Sequence, residues 1–144
     1  MIWTIVIVLP FAPLSYLPPI MIGGGPGTWF LLGYVLYLAI GVGGFAGFSA
    51  FLFTIELHEG RVLDDRIMLV GLVLLCLGIT AGSVLLGVAG AIGGYDFVIQ
   101  HDTSNVVQGL LSPYVDPITV ASFAAVAGAG ISMYGMITAK AKQT

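Results

Sequence analysis

Charge is what this sequence lacks. Only 8% of its 144 residues are Asp, Glu, Lys or Arg, against about 25% in an ordinary soluble domain. So little charge cannot cover a water-exposed surface, which excludes a soluble globular protein. Four Lys and Arg residues in all cannot neutralise a phosphate backbone, which excludes a nucleic-acid binder. A single cysteine leaves no internal disulfide and no Cys-rich metal centre. Disorder is excluded by what is present instead: 58% of the residues are hydrophobic and mean hydropathy is +1.08, whereas disordered chains are poor in apolar residues.

The remaining class is an all-α integral membrane helical bundle, a single transmembrane domain over residues 1–144. A span needs about 20 largely apolar residues, and three stretches meet that length without an ionisable side chain: 28–55, 67–92 and 117–139. Asp64 and Asp65 are placed to cap the second. Asp116 followed by Pro117 reads as N-cap and first helical residue of the third. The segment 2–22 is also long and apolar but holds Pro10, Pro13, Pro18 and Pro19. Without a basic N-terminal stretch or a small-residue cleavage site, it reads as a retained, proline-kinked first helix rather than a cleaved leader. It ends at Gly23-Gly24-Gly25-Pro26-Gly27. The expectation is four transmembrane helices, or three where this segment does not cross.

All four basic residues fall in two places. Arg61 and Arg66 lie in the loop 56–66, and Lys140 and Lys142 in the C-terminal tail. The positive-inside rule makes both cytoplasmic in a multi-pass cell-membrane protein and puts a loop at 95–116 outside. That outer loop carries Asp96, Asp102 and Asp116 and no Lys or Arg. Trp29, Tyr95 and Tyr114 are expected as interfacial anchors.

Glycine is abundant, 21 residues, and recurs at four-residue spacing. Gly43 and Gly47, Gly78 and Gly82, and Gly90 and Gly94 form three such pairs, and Gly128 lies four residues from Ala124 and from Ser132. In lipid, where apolar surface gains little by leaving solvent, small residues let helix backbones approach closely. These glycines are read as helix-packing residues. They supply more small faces than a four-helix bundle uses, so the partners expected are other transmembrane subunits and the lipid bilayer, with no nucleic acid. The face of Ile40, Gly43, Gly47 and Ala50 opposes a ridge that includes Phe30, Tyr34, Tyr37, Phe45 and Phe48.

Catalytic chemistry has no footing. No span contains an ionisable residue, which argues against a proton relay or voltage sensor. His58 and His101 belong to opposite sides and cannot share a metal or ligate one haem. Glu56-Leu57-His58-Glu59 lacks the second histidine of a zinc helix, and the triglycine turn lacks a phosphate-binding lysine. Cys76, mid-helix, reads as a buried, inert small hydrophobe.

One stretch is familiar. Gly25-Pro26-Gly27-Thr28-Trp29-Phe30-Leu31-Leu32-Gly33-Tyr34-Val35-Leu36-Tyr37-Leu38, followed by a glycine-rich helix ending Phe53-Thr54-Ile55-Glu56, is similar to an early helix of haem-copper oxidase and nitric-oxide-reductase-like proteins. It also resembles small membrane subunits encoded with archaeal versions of them. The catalytic members of that family ligate haem and copper through histidines within helices, and no span here has one. The resemblance therefore implies a non-catalytic accessory subunit of a respiratory, energy-converting membrane complex. Such a subunit binds no cofactor by itself, has no catalytic or metal residues, and leaves haem and copper to its partner. Asp96, Asp102 and Asp116 are candidates for docking a basic electron donor. Two alternatives stand beside this reading: a small subunit of another membrane enzyme, such as a copper-dependent ammonia or methane monooxygenase, and a self-assembling channel or carrier for a small neutral solute.

Overall fold

A computed structural model describes residues 14–58 and 61–141. A 3-10 turn at Leu14–Tyr16 leads into a short helix α1 (Leu17–Ile22). Then come α2 (Gly27–Leu36), a π-helical stretch (Tyr37–Gly44) and α3 (Phe45–His58), followed by α4 (Asp65–Val98) and α5 (Ser104–Ile137). Two-residue strands β1 (Arg61–Val62) and β2 (Lys140–Ala141) pair antiparallel, Arg61 opposite Ala141 and Val62 opposite Lys140. Among the described residues, three helices are long and apolar enough to cross a bilayer: Gly27–Leu57, Asp65–Val98 and Ser104–Ile137. That makes the chain all-helical in its spans and compatible with a multi-pass membrane protein. The expected first span, 2–22, lies outside the described residues up to residue 13, and from Leu14 to Ile22 it forms only the 3-10 turn and α1.

Local chemistry accounts for the ends. The chain turns between α1 and α2 through Gly24 and Gly25, whose φ values of +75° and +55° lie where a side chain is strained. The Thr28 hydroxyl donates to the Gly25 carbonyl at 2.7 Å and closes that turn. Asp64 caps α4 as its position suggests, its Oδ1 accepting from the Arg66 N–H at 3.0 Å and the Ile67 N–H at 3.3 Å. The Thr54 hydroxyl, within the first span, and the Thr138 hydroxyl, just past the end of α5, donate to the carbonyls of Ala50 and Tyr134 four residues back, both at 2.9 Å.

The outer loop of 95–116 is a correction. Residues up to Val98 complete α4, residues from Ser104 begin α5, and only five residues connect them. There the Ile99 N–H donates to the Tyr95 carbonyl and the Asp102 N–H to the Asp96 carbonyl, while His101 takes φ +58° to reverse the chain. Asp116-Pro117 is not a helix start; it lies inside α5, with Pro113 one turn earlier. A proline at either place removes an N–H and crowds the carbonyl four residues back. Ending the helix there would free more backbone groups than the two carbonyls the prolines leave, so carrying it through costs less.

Contacts divide the chain into two compact units, residues 1–35 with 82–118 and residues 36–81 with 119–144. In the first, glycines carry the approach of α2 to α4. A Cβ at Gly90 would fall on the backbone of Phe30, and one at Gly33 would come within 2.7 Å of the Ser83 carbonyl. Ala89, Val107 and Leu111 form the buried cluster, with Trp29, Phe97 and Tyr114 packed on it. In the second, Gly78 lies on the backbone of Ala121 and Ala125, Gly128 on that of Leu75, and Gly71 on Ser132. Ile55, Leu63, Met68, Met136 and Ala139 make its core. The fully buried Ser132 hydroxyl has no hydrogen-bond partner.

Three substitutions separate these roles by thermal unfolding of the solubilised chain. Gly90→Leu, driven into the Phe30 backbone, is expected to cost about 3 kcal/mol. Gly109→Ala, where nothing lies within 4 Å of the new Cβ, is expected to be neutral or stabilising by up to about 1 kcal/mol. Ser132→Ala removes an unsatisfied buried hydroxyl and is expected to leave stability equal or raised by about 1 kcal/mol.

Candidate functional site

The seven glycines expected to pack helices separate into two sets. Gly78, Gly90, Gly94 and Gly128 each touch another segment so closely that a Cβ would collide with it, and Gly82 is buried. Gly43 and Gly47 do neither. Gly47 has nothing within 4 Å of a Cβ, and Gly43 meets only the carbonyl of Leu38, on its own helix. Both are exposed, as are Ile40, Gly44 and Ala50. This uncovered small-residue face spans the π-helical stretch and the start of α3. π-Helical turns inside α-helices occur often at functional sites.

Beside it runs an apolar groove of about 620 Å³ within the second unit, lined by Ile40, Gly44, Gly47, Phe48, Phe51 and Leu75 together with Met133 and Met136. Methionine side chains are flexible and polarisable and adapt to irregular partners. Phe51 (58% exposed) and Met133 (58%) leave much of their surface open. The groove contains no ionisable side chain. It is shaped for a helix or an acyl chain and offers no general acid, base or nucleophile.

The first unit holds a smaller cavity of about 370 Å³, lined by Tyr16, Leu17, Ile20, Ala91, Ile92, Tyr95 and Asp96. The rings of Tyr16 and Tyr95 meet edge to face at 5.7 Å and 74°, an arrangement aromatic quadrupoles favour. Tyr95 thus packs on Tyr16, while Trp29 and Tyr114 lie against the Val107–Leu111 cluster. Asp96 and Asp102 are joined by the backbone bond of the reversal at 3.0 Å. Asp116 is not with them: it lies twelve residues into α5, about 18 Å from the helix start at 1.5 Å per residue. The three carboxylates expected to share one docking surface therefore form a pair and a separate singleton.

No group of three or more His, Cys, Asp or Glu able to hold a metal occurs among the described residues. Glu59 lies outside them, and His101 serves the chain reversal. Cys76 corrects its expectation. It is exposed on α4 rather than buried, next to Leu77 at 62% exposure. The glycine spacing that suggested packing could not distinguish a helix face turned inward from one turned out. Proline chemistry hid Asp116 inside a helix. In native membranes, a lipid-soluble diazirine, whose carbene inserts without needing a thiolate, is expected to label the Cys76 face of α4 on illumination, and a charged, membrane-impermeant thiosulfonate to leave Cys76 unreacted. Equal labelling by both would put that face of α4 in water.

Neither a family model nor a curated protein nor a solved structure matches this chain.

Proposed function

We propose that this chain is a non-catalytic accessory subunit of a multi-subunit membrane complex, and that the complex is a respiratory haem-copper terminal oxidase. The observation that carries the subunit reading is the uncovered face of Gly43 and Gly47. Elsewhere in the chain glycines of the same spacing are consumed by backbone contacts. In lipid an unused close-approach surface gains its stabilisation from a partner helix. The apolar groove beside it gives that helix bulky side chains to interlock with. The oxidase assignment rests on the resemblance of residues 25–56, the segment that also bears the uncovered face. On this reading the chain stabilises a cofactor-bearing bundle from outside, haem and copper staying in the partner, and Asp96 with Asp102 faces a basic electron donor.

The test is purification of the tagged chain from its native membrane in mild detergent, with identification of co-purifying chains and a reduced-minus-oxidised spectrum. Stoichiometric larger subunits with a haem signal are expected. Partners without haem would move the assignment to another membrane enzyme, and a homogeneous preparation of this chain alone would overturn the subunit reading. Gly43→Leu with Gly47→Leu is expected to lower partner recovery by about tenfold, the equivalent of about 1.4 kcal/mol. Thermal unfolding of the isolated chain should stay unchanged.

A further inference from the structure

The cavity that α1 forms with the end of α4 lies at a boundary. The apolar run of residues 67–92 ends at Ile92, and α4 itself ends at Val98, just before the chain reverses. Leu17, Ile20, Ala91 and Ile92 give the cavity an apolar floor. Tyr95 and Asp96 line it beyond the apolar run, with Tyr16 packed on Tyr95. A concave site with an apolar body and a few polar groups at one end suits an amphiphile.

The head that fits is cationic, on three counts. Asp96 is half-buried, and its unit, residues 1–35 with 82–118, contains no Lys or Arg. It stands in the last turn of α4, where no basic side chain offsets the negative end of the helix dipole. The Tyr16 and Tyr95 rings, 5.7 Å apart, add the aromatic surface to which ammonium groups are drawn. An anionic head would be repelled here, and a neutral one would leave the carboxylate without a counter-charge.

The tail follows from the floor. Ile92 (39% exposed), Val88 and Val84 (43% each) recur every four residues and so share one face of α4. They lead away from the cavity for about 12 Å, at 1.5 Å per residue. An acyl chain laid on that stripe would hold its head at Asp96. A soluble amine would use none of it.

We propose that this cavity seats the ammonium headgroup of a membrane lipid, with Asp96 as counter-ion, Tyr16 and Tyr95 against it, and one acyl chain along Ile92, Val88 and Val84. The site does not depend on the accessory-subunit reading. A lipid seated there takes Asp96 out of the acidic pair and leaves Asp102 for the proposed donor.

The experiment reconstitutes the tagged full chain, with any subunits that accompany it, into phosphatidylglycerol vesicles. These are doped with phosphatidylethanolamine or phosphatidylglycerol carrying a diazirine on the acyl chain. The two probes share phosphate and chains and differ in the ammonium. After illumination, mass spectrometry reads labelling of the 84–96 segment. In the wild type the ethanolamine probe should label it about tenfold more than the glycerol probe. Asp96→Glu, which keeps the charge, should retain that ratio, and Asp96→Asn should bring it close to one. Ala91→Phe, which fills the cavity, should lower ethanolamine-probe labelling of this segment and leave labelling elsewhere on the chain unchanged. Equal labelling by the two probes in the wild type, or a preference that survives Asp96→Asn, would overturn the proposal. Displacement of the ethanolamine probe by soluble ethanolamine at equal concentration would assign the site to a free amine and overturn the lipid.

Discussion

The structure depends on one kind of contact, the approach of α4 to another helix where neither side has a Cβ in the way. Gly90 meets Phe30, Gly94 meets Ile20 and Gly27, Gly78 meets Ala121 and Ala125, and Gly128 meets Leu75. Apart from the Ile20 methyl against Gly94, these glycines approach backbone atoms. They matter because the usual forces are missing: in lipid the exterior is as apolar as the core, and charge is nearly absent. What remains is dispersion and the packing density that close approach allows. The chain's large hydrophobics can then face outward without penalty. Phe123 and Val126 are each 71% exposed and Ile137 is 72% exposed, an inversion that would be an aggregation hazard in water.

The same environment explains why α5 survives two prolines. In water a proline-proline spacing of four would invite a break, because solvent can satisfy the freed carbonyls. In hydrocarbon the freed groups multiply if the helix stops, so continuity wins and the defects stay local. The carbonyls of Gly109 and Pro113 lose their usual N–H partners, and the chain carries this irregularity beside Asp116. Polar and proline residues therefore concentrate in one short stretch of an otherwise apolar helix.

Much of this was legible in the sequence, and the failures have definite causes. The apolar runs located the three long helices because length and hydropathy are additive properties of a segment. Asp64 was readable as a cap because its hydrogen bonds are local, to residues two and three ahead. Asp116 was misread for the same reason in reverse: Asp-Pro is a good local start signal, and tertiary and solvent context overrode it. The division of the glycines could not be read at all. Gly43 and Gly90 have the same spacing to a second glycine, and only the neighbouring helix decides which face is filled. Cys76 was misjudged by equating an apolar sequence neighbourhood with burial, which holds in water and not in a chain whose outside is apolar.

Charge segregation completes the argument. Arg61 and Lys140 come together in the β1–β2 pair, Arg61 opposite Ala141 and Lys140 opposite Val62. Asp96, Asp102 and Asp116 belong to the other unit, which has no Lys or Arg among its residues. Asp96 and Asp102 flank a chain reversal and can be hydrated there. Asp116 lies exposed on α5, just before the apolar stretch 117–139.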